Sequence, residues 1–201
     1  RDTEKRRAEL REKLVDIAEA DIRENGLPSL RARALAEEAG CAVGAIYNVF
    51  EDMTGLALAV NGRTFERLGA HVSAAVGARA DAPPIDRLVI MAKAYLAFAS
   101  QNRNLWRALF DVEMTAESKV PDWYMDELGR LFAIIAGPLS ELDPDADPGE
   151  IDLRTRTLFS SVHGIVLLGL ERRISGVPME RMEQMIEYLL YSIGPDTQQP
   201  S

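Results

Sequence analysis

Apolar residues recur three and four positions apart along almost the whole chain, and the segments they mark are separated by proline and glycine rather than by alternating patterns. Each such segment has one stripe to bury, so the chain is expected to be all-α, without strands. The first helix spans about Glu4 to Glu24, with Leu10, Leu14, Ile17, Ala18 and Ile22 on its apolar side and Asn25-Gly26 as its stop. Two short helices follow, about Arg31 to Ala39 and about Val43 to Phe50, around Gly40-Cys41-Ala42. Asp52 suits the N-cap of a long fourth helix reaching about Arg79, and Ala82-Pro83-Pro84 marks a joint. Beyond the joint, Leu88, Met91, Ala92, Tyr95 and Phe98 line one face of a helix from Ile85 to Gln101, broken at Asn102-Arg103-Asn104. A short helix around Leu105 to Phe110, an irregular stretch to Lys119 and a helix started by Pro121, with a bend at Gly137-Pro138, come next. After an acidic loop from Asp143, two helices close the chain, about Glu150 to Ser175 and about Pro178 to Ile193, and Gly194 to Ser201 is a polar tail.

Composition narrows the function classes. With 47% apolar and 27% charged residues in 201, the chain builds its own core and is not a disordered segment. Its longest uncharged apolar run, Thr157 to Leu170, is too short to span a bilayer, and no apolar segment of a secretion signal follows the basic N-terminus. A cytoplasmic protein with no membrane partner is expected. One cysteine, Cys41, and two histidines, His71 and His163, allow neither an internal disulfide nor a cysteine/histidine zinc cage, so neither metal nor cofactor is expected. No phosphate-binding glycine loop, HExxH or GxSxG motif is present, and an enzyme finds no support.

The most informative segment runs from Leu30 to Leu56. Two short helices joined by a three-residue turn containing glycine fit a helix-turn-helix, whose second helix enters the DNA major groove. Leu35-Ala36, Ala39-Gly40-Cys41-Ala42, Gly44-Ala45-Ile46-Tyr47, Phe50 and Leu56 resemble the N-terminal signature of the tetracycline-repressor family. There the pattern is Ile/Leu-Ala, Ala-Gly-Val-Ser, Gly-Thr-Leu/Ile-Tyr, Phe and Leu at the same spacing. The resemblance covers about residues 8 to 60; Ser161-Val162-His163-Gly164 looks like a feature of some ligand domains of that family. It implies a DNA-binding module over residues 1–52, a connector helix over 53–80, and a ligand-binding and dimerisation domain over 81–201.

Gly40 would end the scaffold helix in a left-handed conformation, and Gly44 would let the recognition helix approach DNA. The resemblance implies that Tyr47 places its hydroxyl on a phosphate; a core tyrosine is the alternative. Asn48 is a candidate reader of adenine, and Arg31, Arg33 and Ala45 complete the candidate DNA surface. The chain departs from the family pattern at Arg31 and Ala42, where hydroxyl caps are usual, and at Ala45, Val49 and Met53. Charge is also unhelpful: residues 1–13 carry +2, but residues 14–60 carry −5, in a chain of net −9. A basic N-terminal arm with Arg31 and Arg33 would have to compensate.

The C-terminal part holds most of the aromatic and methionine side chains. Met91, Tyr95, Phe98, Trp106, Phe110, Trp123, Tyr124 and His163 are the candidate lining of a site for a small apolar ligand, with Met114, Met125, Phe132 and Phe159 nearby in sequence; core packing is the alternative for each. The last two helices are apolar on several faces, which suggests a four-helix interface between two copies using Leu168, Met182, Ile186, Leu189 and Ile193, with Gly164 and Gly169 permitting close approach. The expected function is a homodimeric, ligand-responsive transcriptional regulator, a repressor released from a palindromic operator in double-stranded DNA. The alternative is a dimeric helical ligand-binding or adaptor protein with a degenerate DNA-binding module.

Overall fold

A computed structural model of the chain describes residues 2–112, 120–171 and 176–194. Among these the regular elements are all helical: α1 (Asp2–Asn25), a 3-10 turn (Leu27–Ser29), α2 (Ala32–Ala39), α3 (Val43–Tyr47), α4 (Met53–Gly77), α5 (Pro84–Gln101), α6 (Arg103–Asp111), α7 (Asp122–Leu142), α8 (Pro148–Leu170) and α9 (Met179–Ser192). The all-α expectation holds. The irregular stretch to Lys119 with Met114, residues 172–175 and the tail beyond Gly194 lie outside the described residues; the penultimate helix stops at Leu170, where Glu171 turns extended, short of the expected Ser175.

The punctuation acts where the sequence put it. Gly26 and Gly40 adopt positive φ, 84° and 69°, and each follows the end of a helix. Asp52 accepts a hydrogen bond from the Gly55 amide at 2.7 Å, capping α4, and Asp147 accepts from the amides of Gly149 and Glu150 at the start of α8. Two bounds differ. α3 ends at Tyr47 rather than Phe50, because Val49 and Phe50 both return their amides to Ile46. α4 ends at Gly77, and α7 continues through Pro138.

The chain divides into two compact units, Arg1–Arg67 with Gln101–Glu127, and Leu68–Ser100 with Leu128–Ser201. In the first, Leu14, Ala18 and Ile22 of α1, Leu35 and Ala36 of α2, Ile46 of α3, and Leu56 and Val60 of α4 form one buried cluster with Leu105 and Ala108 of α6. The presence of α6 there departs from the sequence reading, which assigned it to the C-terminal part. Two polar contacts hold it: Asn104 donates to the carbonyls of Arg23 and Glu24 at the end of α1, and the buried Asn61 of α4 donates to the Ala108 carbonyl at 2.9 Å. In the second unit, Leu88 and Leu96 of α5, Leu139 of α7, Leu158 and Val166 of α8, and Met182, Ile186 and Leu190 of α9 are buried. Burial of each such side chain is worth roughly 1.5–3 kcal/mol, which offsets the entropy of ordering these helices.

Candidate nucleic-acid interface and ligand cluster

The helix-turn-helix is set by which side chains α2 and α3 turn inward. Leu35, Ala36, Ile46 and Phe50 are buried in the common cluster, as their spacing requires. Cys41, Val49 and Met53 are partly buried against it, so two of the departures from the family pattern, Val49 and Met53, belong to packing. What remains outside is Ala42, Val43, Gly44, Tyr47 and Asn48, with Arg31 and Arg33 on the preceding segment. Tyr47 is 49% exposed, which removes the core alternative. Asn48 is the exposed C-cap of α3, and Ala45 is half-buried. A Cβ added at Gly44 would meet nothing within 4 Å, so packing within the subunit does not require glycine there.

Neither short helix has a side-chain cap. Arg31 stands at the N-cap of α2 and turns its guanidinium back onto the carbonyls of Pro28 and Leu30; Ala42 stands at the N-cap of α3. The other end of α2 is better supported. Lys13 of α1 donates to the Ala39 carbonyl at 2.9 Å, placing a cation where the helix dipole is negative. Arg11 lies over the Phe50 ring, 5.0 Å from its centroid. These two members of the basic arm thus have structural work inside the module.

A second polar centre lies between α1 and α4. Glu19 is buried and receives Arg67 and Arg63 of α4 and Arg23 of its own helix, while Arg63 also reaches Asp16 and Glu12. Burial pushes the Glu19 carboxyl up, but the hydrogen bonds and charges of Arg67, Arg63 and Arg23 prevail and hold it below its ordinary value. Burial likewise opposes the charge of Arg63, which its three carboxylates restore and raise. This network ties α1 to the middle of α4.

The aromatic residues proposed as one ligand lining divide between the units. In the second unit, the Tyr95 hydroxyl of α5 meets Nδ1 of His163 on α8 at 2.8 Å. Phe159, one turn before His163, stacks on the imidazole at 5.6 Å and takes the edges of Tyr95 and of Phe132 from α7. Met91 and Phe98 are buried on α5, and Phe98 packs beside His71. Burial holds the His163 imidazole below its ordinary value and so in the neutral form. One turn before Phe159, the buried Thr155 hydroxyl has no hydrogen-bond partner among the described residues. Trp106, Phe110, Trp123 and Tyr124 belong instead to the first unit. There Trp106 is buried against the edge of the exposed Phe110, and Tyr124 packs between Phe65 and the half-exposed Trp123. Gly62 of α4 accommodates that tryptophan: an added Cβ would lie 2.9 Å from its ring.

The α8 and α9 faces also sort themselves. Met182 and Ile186, named from the sequence as interface residues, are buried within the subunit, and Gly169 packs directly against Met182. The close approach attributed to Gly169 thus occurs within one chain, and these residues join two helices of a subunit rather than two subunits. Apolar side chains left outside include Leu153 and Leu168 of α8 and Met179, Met185, Tyr188 and Tyr191 of α9, with Ile193 at its end and Leu189 half-buried. A groove of about 530 Å³ runs between Ile165, Arg181, Met185, Tyr188, Leu189 and Ser192.

Residues 88–193, just over half of the chain, match the family described as tetracyclin repressor-like, C-terminal domain. The chain belongs to the tetracycline-repressor family. It is similar to the HTH-type transcriptional repressor KstR of Mycolicibacterium smegmatis, 27% identical over 191 residues, 94% of this chain and 90% of the relative. Its fold is that of RolR in complex with resorcinol, with a TM-score of 0.70 and 18% identity over 96% of this chain and 91% of the other. The regulator FadR of Bacillus subtilis in complex with stearoyl-CoA gives 0.68 and 16%, covering 90% and 97%. As a member of this family the chain is a ligand-responsive, DNA-binding transcriptional regulator. No helix among the described residues is long and apolar enough to cross a membrane, and no group of three or more potential metal ligands gathers among them.

Lys13, Arg63 and Gly62 escaped the sequence reading. Their partners lie 26 or more residues away, and nothing in the local pattern distinguishes them from a solvated lysine, a solvated arginine or a helix-weakening glycine.

Proposed function

We propose that the chain is a repressor that binds a palindromic operator as a homodimer and leaves it when a small apolar molecule binds. The observation that carries this reading is the outward face of α3, where Val43, Gly44, Tyr47 and Asn48 stand in solvent while Ile46 and Phe50 hold the helix to the core. On this reading residues 1–52 meet DNA, 53–80 connect, and 81–201 bind ligand and partner. Tyr47 contacts phosphate, Asn48 pairs with an adenine edge, and Arg31 and Arg33 neutralise backbone charge beside Ala45 and Gly44. The dimer uses the exposed apolar faces of α8 and α9 around Leu168, Tyr188, Leu189 and Ile193, and Gly164, open to a Cβ, allows close approach.

The ligand site is centred on Tyr95, His163 and Phe159. The neutral imidazole of His163 and the Thr155 hydroxyl on α8, with the Tyr95 hydroxyl from α5, put polar atoms among aromatic walls, the mixture that small apolar ligands with one polar group require. RolR takes a phenol and the Bacillus FadR a fatty acyl thioester; both ligands combine an apolar body with polar atoms. Met91 and Phe98 extend the apolar wall on α5.

The test is a gel shift of the full chain with DNA from upstream of its own coding sequence, repeated with Tyr47→Phe and Asn48→Ala. Tyr47→Phe is expected to weaken all sites alike; Asn48→Ala is expected to relax preference at one position per half-site, at roughly 1–3 kcal/mol. One observation favours a second reading, an adaptor with a degenerate DNA module: no Lys or Arg occurs from Ala34 to Gly62. Absence of any shift at low salt decides for it.

A further inference from the structure

Direct readout of guanine by a recognition helix uses arginine or lysine on the O6/N7 edge, and the stretch from Ala34 to Gly62 contains neither. α3 must therefore take its sequence information from other chemistry. Its exposed positions give Tyr47 a phenol, Asn48 an amide, Ala42 a single methyl at the extended N-cap before the helix begins, and Gly44 no side chain. Val43 remains: a branched apolar side chain, 40% exposed, at the first position of the helix and one turn before Tyr47. Residues at the start of a recognition helix are those that meet base edges. Beside it, Gly44 has no side chain and open space where one would be, so the backbone at this end can come close to the groove floor. The one base feature in the major groove that an isopropyl group matches is the C5-methyl of thymine.

We infer that Val43 is a specificity-determining residue whose isopropyl group reads the C5-methyl group of one thymine in each operator half-site. This rests on the DNA-binding reading above and names the base feature that reading leaves open.

The experiment starts with selection of duplexes from a random pool by the full-length chain. In the selected operator, thymidine is then replaced by deoxyuridine one position at a time, which removes only the methyl group, and binding is followed by fluorescence anisotropy. At one position per half-site the wild type is expected to bind roughly 3- to 10-fold more weakly. Val43→Ala, an exposed substitution, should bind thymidine and deoxyuridine there alike, and Val43→Thr, which keeps one methyl, should retain part of the difference. Indifference of the wild type to deoxyuridine at every position, or a Val43→Ala profile identical to the wild type's, overturns the inference while leaving DNA binding intact. A chain that enriches no sequence overturns both.

Discussion

Glu19 and the half-buried His163 both tie stability to pH in the same direction, one by keeping its charge when folded and the other by staying neutral. The Glu19 carboxyl is held below its ordinary value of 4.5 by Arg67, Arg63 and Arg23, against the effect of burial. Its folded form therefore prefers the charged state, and the stability it contributes is present above that value and lost as pH falls through the lower folded one. Because the guanidinium partners are partly exposed, Glu19→Gln is expected to cost about 1–2 kcal/mol at pH 7, read from urea midpoints, and to flatten the acid limb of the stability curve below about 4.5. An unchanged acid limb would show that Glu19 is not the group responsible. His163 is held below its ordinary value of 6.5 by burial, so its folded form prefers to stay neutral. The unfolded chain then takes up the proton first, and stability should decline as pH falls through the ordinary value of 6.5 towards the lower folded one. His163→Gln should remove that part of the slope; a slope identical to the wild type's would assign it elsewhere.

At the scale of elements, α8 and α9 carry two apolar surfaces that the spacing could not tell apart. One joins the helices within a subunit through Met182, Ile186 and Gly169; the other leaves Leu168, Tyr188 and Ile193 outside. Substitutions should separate them. Ile186→Glu buries a charge in the core and is expected to abolish cooperative thermal unfolding, whereas Tyr188→Glu or Leu168→Glu should leave secondary structure intact and give monomers in light scattering. A dimer that survives both surface changes would place its interface on another face. α2 and α3 are held differently, without side-chain caps and by Lys13 from α1. Lys13→Met should therefore loosen the helix-turn-helix, lowering stability by about 1 kcal/mol while leaving α8 and α9 unaffected.

For the whole molecule, the limiting quantity is charge. A chain of net −9 approaches a polyanion, and the cations placed to meet it near α3 are few. If Arg31 and Arg33 supply the phosphate contacts, a dimer neutralises four phosphates, and the logarithm of affinity should fall against that of salt with a slope of about −3.6. Arg33→Ala should reduce that slope by about 1.8. Regulation adds a second requirement. α4 is continuous over 25 residues, about 37 Å, with its start in the first compact unit and its end in the second. A ligand acting through it must bind free protein more tightly than the operator complex, typically by 1–3 kcal/mol. Trp106 and Trp123 both lie in the first unit, so a fluorescence change on binding at Tyr95 and His163 would report that unit's response. Equal ligand affinity with and without operator would show that the ligand is no inducer.

What could be read from the amino acids alone is what depends on neighbours along the chain. The apolar period gave the helices, Gly26 its stop, Gly40 its left-handed stop, Asp52 its cap, and Leu35, Ala36, Ile46 and Phe50 the inward face of the DNA-reading module. Each of these follows from local backbone geometry or from residues within one or two turns. Tertiary structure decided what an apolar or charged side chain faces once it is known to be helical. It drew α6 into the core around α1, buried Met182 and Ile186, and gave Arg63 three carboxylates instead of water. The reason is physical: periodicity specifies that a stripe must be covered, but any apolar stripe can cover it, and only the packing of distant helices selects which one does.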